Sequence, residues 1–100
     1  MKTETFRSVW DAIEDDPVVA RAMERRCNLL LQVRKKIAEA KYTQAEAAKV
    51  LKISRPRVSD LERGKINLFS LETLMEFLDR LGQDVKIEVR PATKRKSEAV

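Results

Sequence analysis

The stretch "TQAEAAKVLKISRPRVSDLERGK", residues 43–65, decides how this chain folds. Thr43 is followed three residues later by Glu46, a spacing that lets a hydroxyl and a carboxylate cap each other's backbone N–H at a helix start. The helix so begun contains Ala45, Ala47, Ala48, Val50 and Leu51. Lys52 and Ile53 make a short turn. Ser54 then caps a second helix, with Pro56 tolerated in its first turn. Val58 and Leu61 are the inward positions of that helix, and Gly64 stops it. A corner this tight needs small residues where the helices cross, and Ala47 and Ala48 supply them. Arg55, Pro56, Arg57, Ser59 and Asp60 are left facing outward.

The flanking sequence continues the helical pattern on both sides. Asp15 and Asp16 before Pro17 read as a helix start. From there to about residue 40, Met23, Cys27, Leu30, Val33 (or Arg34), Ile37 and Ala40 recur every three or four residues as one apolar stripe. Cys27 on that stripe reads as a small core residue rather than a reactive thiol. Beyond Gly64, residues 66–69 form a loop with apolar anchors. Ser70 caps a further helix whose Leu71, Leu74, Phe77 or Leu78, and Leu81 face the core, and Gly82 ends it. Residues 84–90 then alternate strictly and are rich in β-branched side chains, which predicts a strand that Pro91 ends. The first dozen residues are ambiguous: Phe6, Val9, Trp10 and Ile13 fall at helical spacing, while Phe6, Ser8 and Trp10 alternate. The expected organisation is an acidic and apolar segment over 1–16, a helical domain over 17–82, a strand within 83–91 and a basic tail over 92–100.

Charge and composition limit the function. The chain has 100 residues, 43% hydrophobic and 37% charged, with a formal net charge of +5. Residues 1–24 carry three basic and six acidic side chains, net −3, and residues 25–65 carry twelve basic and four acidic, net +8. The last 35 residues are balanced, with six of each. The positive excess therefore coincides with the two-helix stretch and suggests a polyanion partner. With no histidine, histidine-based acid–base chemistry and nucleophile–histidine triads are excluded. Ser59 has no base partner in the sequence, so no enzymatic activity is expected; with no histidine and one cysteine no metal is expected either, and no cofactor. A single cysteine and the lack of a long apolar run fit a cytoplasmic protein without a membrane span.

Two helices joined by so short a turn are the helix-turn-helix motif, whose second helix enters the DNA major groove. Arginine there can bond guanine O6 and N7 with two donors, and the helix N-terminus favours phosphate. At Thr43–Glu46, Ser54–Ser59 and Leu61–Lys65 the sequence resembles the phage-repressor/Cro (XRE) family. It is similar in particular to HigA-type antitoxins, with "FSLETL" and a terminal "VKIEVRP" following the motif. The resemblance covers roughly residues 20–92. It implies a compact, mainly α fold of four to five helices, with one C-terminal β-strand pairing across a dimer. It also implies that Arg55, Pro56, Arg57, Ser59 and Asp60 face the groove, and that Thr43, Gln44, Arg63 and Lys65 contact phosphates. Asp60 has two roles open to it: reading a cytosine, or pairing with a neighbouring basic residue. Lys52 departs from the family, which usually places a left-handed glycine there. Either it carries that strain, or the turn is shifted by one residue.

The predicted strand needs a partner, because a lone strand exposes unpaired backbone groups on both edges. Within the chain the only candidate is the segment 5–10. A second copy is the better match, making a homodimer through Val85, Ile87 and Val89 and an operator with inverted repeats. The resemblance implies one more partner, a small basic RelE-like toxin. Phe6, Val9, Trp10 and Ile13 in the acidic segment are the candidates to meet it. The rival readings are a solitary regulator without a toxin, and a protein-interaction module that uses the motif only as scaffold.

Overall fold

The structure is a computed structural model that describes residues 16–91. The expected toxin contacts Phe6, Val9, Trp10 and Ile13 and the basic tail over 92–100 lie outside the described residues, as does the segment 5–10. Four α-helices and one 3-10 turn follow in order: α1 (Pro17–Ala40), α2 (Gln44–Leu51), α3 (Arg55–Glu62), the turn Ile66–Leu68, and α4 (Leu71–Arg80). Each α-helix begins at the cap read from the sequence. The Asp16 carboxylate accepts the Val18 N–H at 2.9 Å, with Pro17 at the first helical position. Ser54 and Ser70 accept the N–H groups of Arg57 and Thr73. These bonds satisfy donors that the first turn of a helix leaves without an intrahelical partner.

The core forms where α1 packs along α4 and α2 crosses α3. From α1 it takes Cys27, Leu30, Val33 and Ile37, so Val33 and not Arg34 continues the stripe. Ala40 is exposed instead of inward, because it is the last residue of the helix and lies beyond the packed turns. Ala47, Ala48, Val58 and Leu61 are buried at the α2–α3 crossing, as the tight corner requires. In α4 both Phe77 and Leu78 are buried with Leu74, whereas Leu71 and Leu81 are half-buried at its two ends. Ile66 and Phe69 anchor the intervening turn from either side.

All four described helices end in one geometry. After α2, Ile53 N–H bonds Ala48 O at 3.0 Å while Lys52 N–H bonds Lys49 O at 3.3 Å. After α1, Tyr42 and Lys41 repeat the pattern on Ile37 and Ala38. After α3 and α4, Lys65 with Gly64 and Gln83 with Gly82 do the same. This closure captures two orphan carbonyls and needs one residue in the left-handed region. Gly64 and Gly82 take it at φ 77 and φ 83, and Lys41 and Lys52 take it at φ 59 each. The turn is therefore not shifted: Lys52 carries the strain that family glycines avoid.

The expected strand is not formed within the chain. Among the described residues there is no strand, and none of them shares a ladder with residues 83–91. The alternation is nonetheless visible. Lys86 pairs with Asp84 at 3.4 Å and Arg90 with Glu88 at 3.7 Å, i to i+2 contacts that put the charges on one face. Val85 packs half-buried against the core, whereas Ile87 and Val89 are 74% and 91% exposed.

Replacing Lys52 by glycine should raise stability. A left-handed non-glycine residue costs roughly 1–2 kcal/mol, and the added freedom of the unfolded chain takes back about 0.5–1 kcal/mol. The expected net gain is about 0.5–1 kcal/mol, read from denaturant midpoints at unchanged slope. An unchanged or lower midpoint would mean that the lysine side chain contributes more than the strain removes.

Candidate nucleic-acid interface

The cap at Ser54 sets what α3 presents. Its hydroxyl and its carbonyl both receive the Arg57 N–H, at 3.3 and 3.1 Å, so the helix starts abruptly at Arg55. Arg55 and Pro56 stand exposed at its tip. Ser59 and Asp60 follow on a half-buried flank. Asp60 lies 3.5 Å from Lys65 Nζ, so of the two roles open to it the chain by itself forms the ion pair.

Arg57 departs from the outward orientation expected of it. Its guanidinium turns back across the Ile66–Leu68 turn, where Nη2 donates to Leu68 O at 3.2 Å. Its Cζ lies 4.4 Å from the centroid of the Phe69 ring. A guanidinium over an aromatic face is attracted by the ring quadrupole. The ring is itself held, 1% exposed and edge-on to Phe77 at 5.9 Å between centroids. Of the two arginines around Pro56, Arg55 is exposed and Arg57 half-buried.

Three of the four expected phosphate-side residues, Thr43, Gln44 and Lys65, are also engaged with the protein. Thr43 Oγ1 accepts the Glu46 N–H at 3.1 Å while Glu46 Oε1 accepts the Thr43 N–H at 2.9 Å, completing the capping box. Gln44 Nε2 donates to Glu62 Oε1 at 3.1 Å, tying the start of α2 to the end of α3. Lys65 is the partner of Asp60, and Arg63 is exposed just after α3.

These contacts sort the charges. All three carboxylates between positions 43 and 65 have a partner in the chain: Glu46 on a backbone N–H, Asp60 on Lys65, and Glu62 on Gln44. Lys49, Lys52, Arg55 and Arg63 are exposed and form no ion pair among the described residues. Bonds from an N–H or an amide leave the charges of Glu46 and Glu62 in place, so the positive excess of the two-helix unit is six basic against three acidic side chains, net +3. No group of candidate metal ligands comes together among the described residues. No described helix is long and apolar enough to cross a membrane.

Sequence reading missed two contacts here, Gln44–Glu62 and Arg57–Phe69. Each joins residues that only the tertiary fold brings together. The one available signal for the second was an aromatic residue in the turn that follows the helix.

The profile of the helix-turn-helix domain family matches residues 12–90. A solved structure named "Putative XRE Family Transcriptional Regulator" is 38% identical in sequence and superposes with a TM-score of 0.70, covering 72% of this chain and 81% of that one. The chain belongs to the XRE-type helix-turn-helix family. No curated protein matches it. In this XRE-type domain α2 and α3 are the two helices of the motif, and α3 holds the place of the recognition helix. The exposed Arg55 and Pro56 lie at the N-terminal end of α3, the end from which such helices address base edges.

Proposed function

We propose that this protein is a sequence-specific DNA-binding transcriptional regulator that represses at an operator with inverted repeats. The observation that carries the reading is the net positive charge of the motif, on which Lys49, Lys52, Arg55 and Arg63 are exposed and form no ion pair among the described residues. Membership of the family and the name of the solved relative support the same role. With α3 in the major groove, Arg55 is the principal base reader through a bidentate bond to guanine, and Pro56, Ser59 and Asp60 border the same bases. Asp60 would exchange Lys65 for a base amino group. Thr43 and Gln44 at the start of α2, together with Arg63 and Lys65, would border the phosphates.

The reading extends to a homodimer. Ile87 and Val89 are the most exposed large apolar side chains among the described residues, and Val85 fixes the start of their segment against the core. Leu29, Leu71 and Met75 line a groove of about 630 Å³ beside them. Antiparallel pairing with a second copy, centred near Ile87, would satisfy the open backbone edge and set Lys86 opposite Glu88. It would cover Ile87 and Val89 and present two α3 helices about 34 Å apart.

The finer reading is an antitoxin that binds its own operator and neutralises a RelE-like toxin. It is supported by the resemblance of the motif, "FSLETL" and "VKIEVRP" to HigA-type antitoxins, and by the net −3 of residues 1–24, which suits a basic partner. The alternative is a solitary regulator of the same family.

Three measurements test these readings. Selection from random duplexes should yield an inverted repeat. On it, Arg55→Ala should weaken binding by about 1–3 kcal/mol and relax preference at one base pair per half-site; undiminished binding would remove Arg55 from base reading. Ile87→Pro deletes a ladder donor and an apolar contact, so sedimentation should show monomer, with operator affinity lost and helical signal kept. A variant still dimeric would place the interface elsewhere. Removing residues 1–15 should leave operator binding intact and abolish protection against a toxin encoded beside the gene. Protection that survives would clear that segment, and the lack of any such toxin would favour the solitary regulator.

A further inference from the structure

We propose that Arg57 is a sequence-neutral phosphate contact, pre-set by Phe69 and Leu68, and that specificity at the start of α3 rests on Arg55 alone of the two arginines. The inference rests on the proposed DNA-binding role and assigns Arg57 a different part from the base reading its position in the motif suggests. A guanidinium has five N–H donors and two faces. In this structure one donor is given to Leu68 O at 3.2 Å, and one face lies on the Phe69 ring at 4.4 Å. Leu68 O is its only hydrogen-bond partner among the described residues, so the remaining donors stay available at the edge of a half-buried group.

Two features decide between base and phosphate. Reaching a base edge would require the side chain to swing out and give up both contacts. The ring cannot follow, because it is buried and packed edge-on against Phe77. A phosphate asks only for charge and N–H groups in a suitable plane, which the stacked guanidinium already offers. The stack also removes side-chain freedom before the ligand arrives, so less ordering remains for the binding step. Arg55, two residues earlier, is exposed and has no such restraint among the described residues. Pro56 thus separates two arginines with opposite tasks: one free to search the groove, the other fixed to set the height of the helix over the backbone. The turn Ile66–Leu68 becomes part of the interface by holding that second arginine.

The test compares the full-length protein with Arg57→Ala, Arg57→Lys and Phe69→Leu on the selected duplex and on a random duplex of equal length, across a salt series. Folding is checked by circular dichroism and melting. For Arg57→Ala the expected result is an equal loss of affinity on both duplexes. The log–log salt slope should fall by about 0.9 and base preference should stay unchanged. Arg57→Lys keeps the charge and should restore the slope while recovering only part of the affinity. Phe69→Leu keeps the arginine but removes the stack, so affinity should fall on both duplexes with the parental slope.

A changed base preference in Arg57→Ala would make Arg57 a base reader and overturn the assignment. So would parental affinity and slope in that variant, even with a lowered melting temperature, because the contact would then be purely structural. Should Phe69→Leu fail to fold, the alanine and lysine variants decide alone. A parent protein that binds no duplex would remove the DNA-binding role itself and this assignment with it. A parent that binds while Arg57→Ala behaves otherwise than stated removes only the assignment.

Discussion

The structure depends on how closely α2 can be followed by α3. Only Lys52, Ile53 and Ser54 separate the two helices. Within that distance the chain must close the carbonyl end of one helix, reverse, and satisfy the N–H end of the next. The closure uses Ala48 O and Lys49 O, and the opening uses the hydroxyl and carbonyl of Ser54. Unpaired backbone groups in so confined a corner would be costly, so each residue of the turn has a fixed backbone task. The side chains inherit their directions from it. Val58 and Leu61 are buried at the crossing with Ala47 and Ala48, Arg57 lies back on Phe69, and Arg55 and Pro56 at the tip of α3 are turned away from the core. The exposed arginine at its tip is therefore a consequence of the turn.

What could be read in advance follows the range of the forces involved. Helix starts were legible at Asp16, Thr43, Ser54 and Ser70 because a cap acts over two or three residues. The α1 stripe was legible because one helix period repeats it several times, although only packing could choose Val33 over Arg34. The left-handed Lys52 stood out as a departure from a pattern, while Lys41, with the same geometry, had no pattern to depart from. The Arg57–Phe69 stack was not legible, since it joins a helix to a turn that folds back from beyond it. The alternation over 84–90 is in the sequence and in the charge pairing of the structure, but a ladder needs a second edge, and none is offered among the described residues.

The interface is shaped as much by what happens to its negative charges as by its positive ones. Exposed ion pairs contribute little to stability, about 0–1 kcal/mol each. Asp60 with Lys65 therefore matters less as a fastener than as local neutralisation, whereas Glu62, bonded to the uncharged Gln44 amide, keeps its charge. The Lys65 ion pair offsets one carboxylate that would otherwise repel a phosphate backbone. Lys52 shows the same priority from the other side, since a residue with a charged side chain occupies a turn position that geometry alone would give to glycine.

The pairing of α1 with α4 bears on the order in which a newly made chain matures. The two partners bracket the motif: α1 precedes it and α4 follows it. Synthesis proceeds from the N-terminus at roughly 5–20 residues per second. Helices joined by short turns relax far faster, on the order of microseconds to milliseconds once their contacts are available. The α2–α3 corner can therefore assemble as soon as it clears the ribosome. The apolar stripe of α1, made first, must wait until α4 emerges to cover it. During that interval the part of the stripe that α3 and the turn do not reach is an open surface, and α4, the last of the described helices, is the one that closes it.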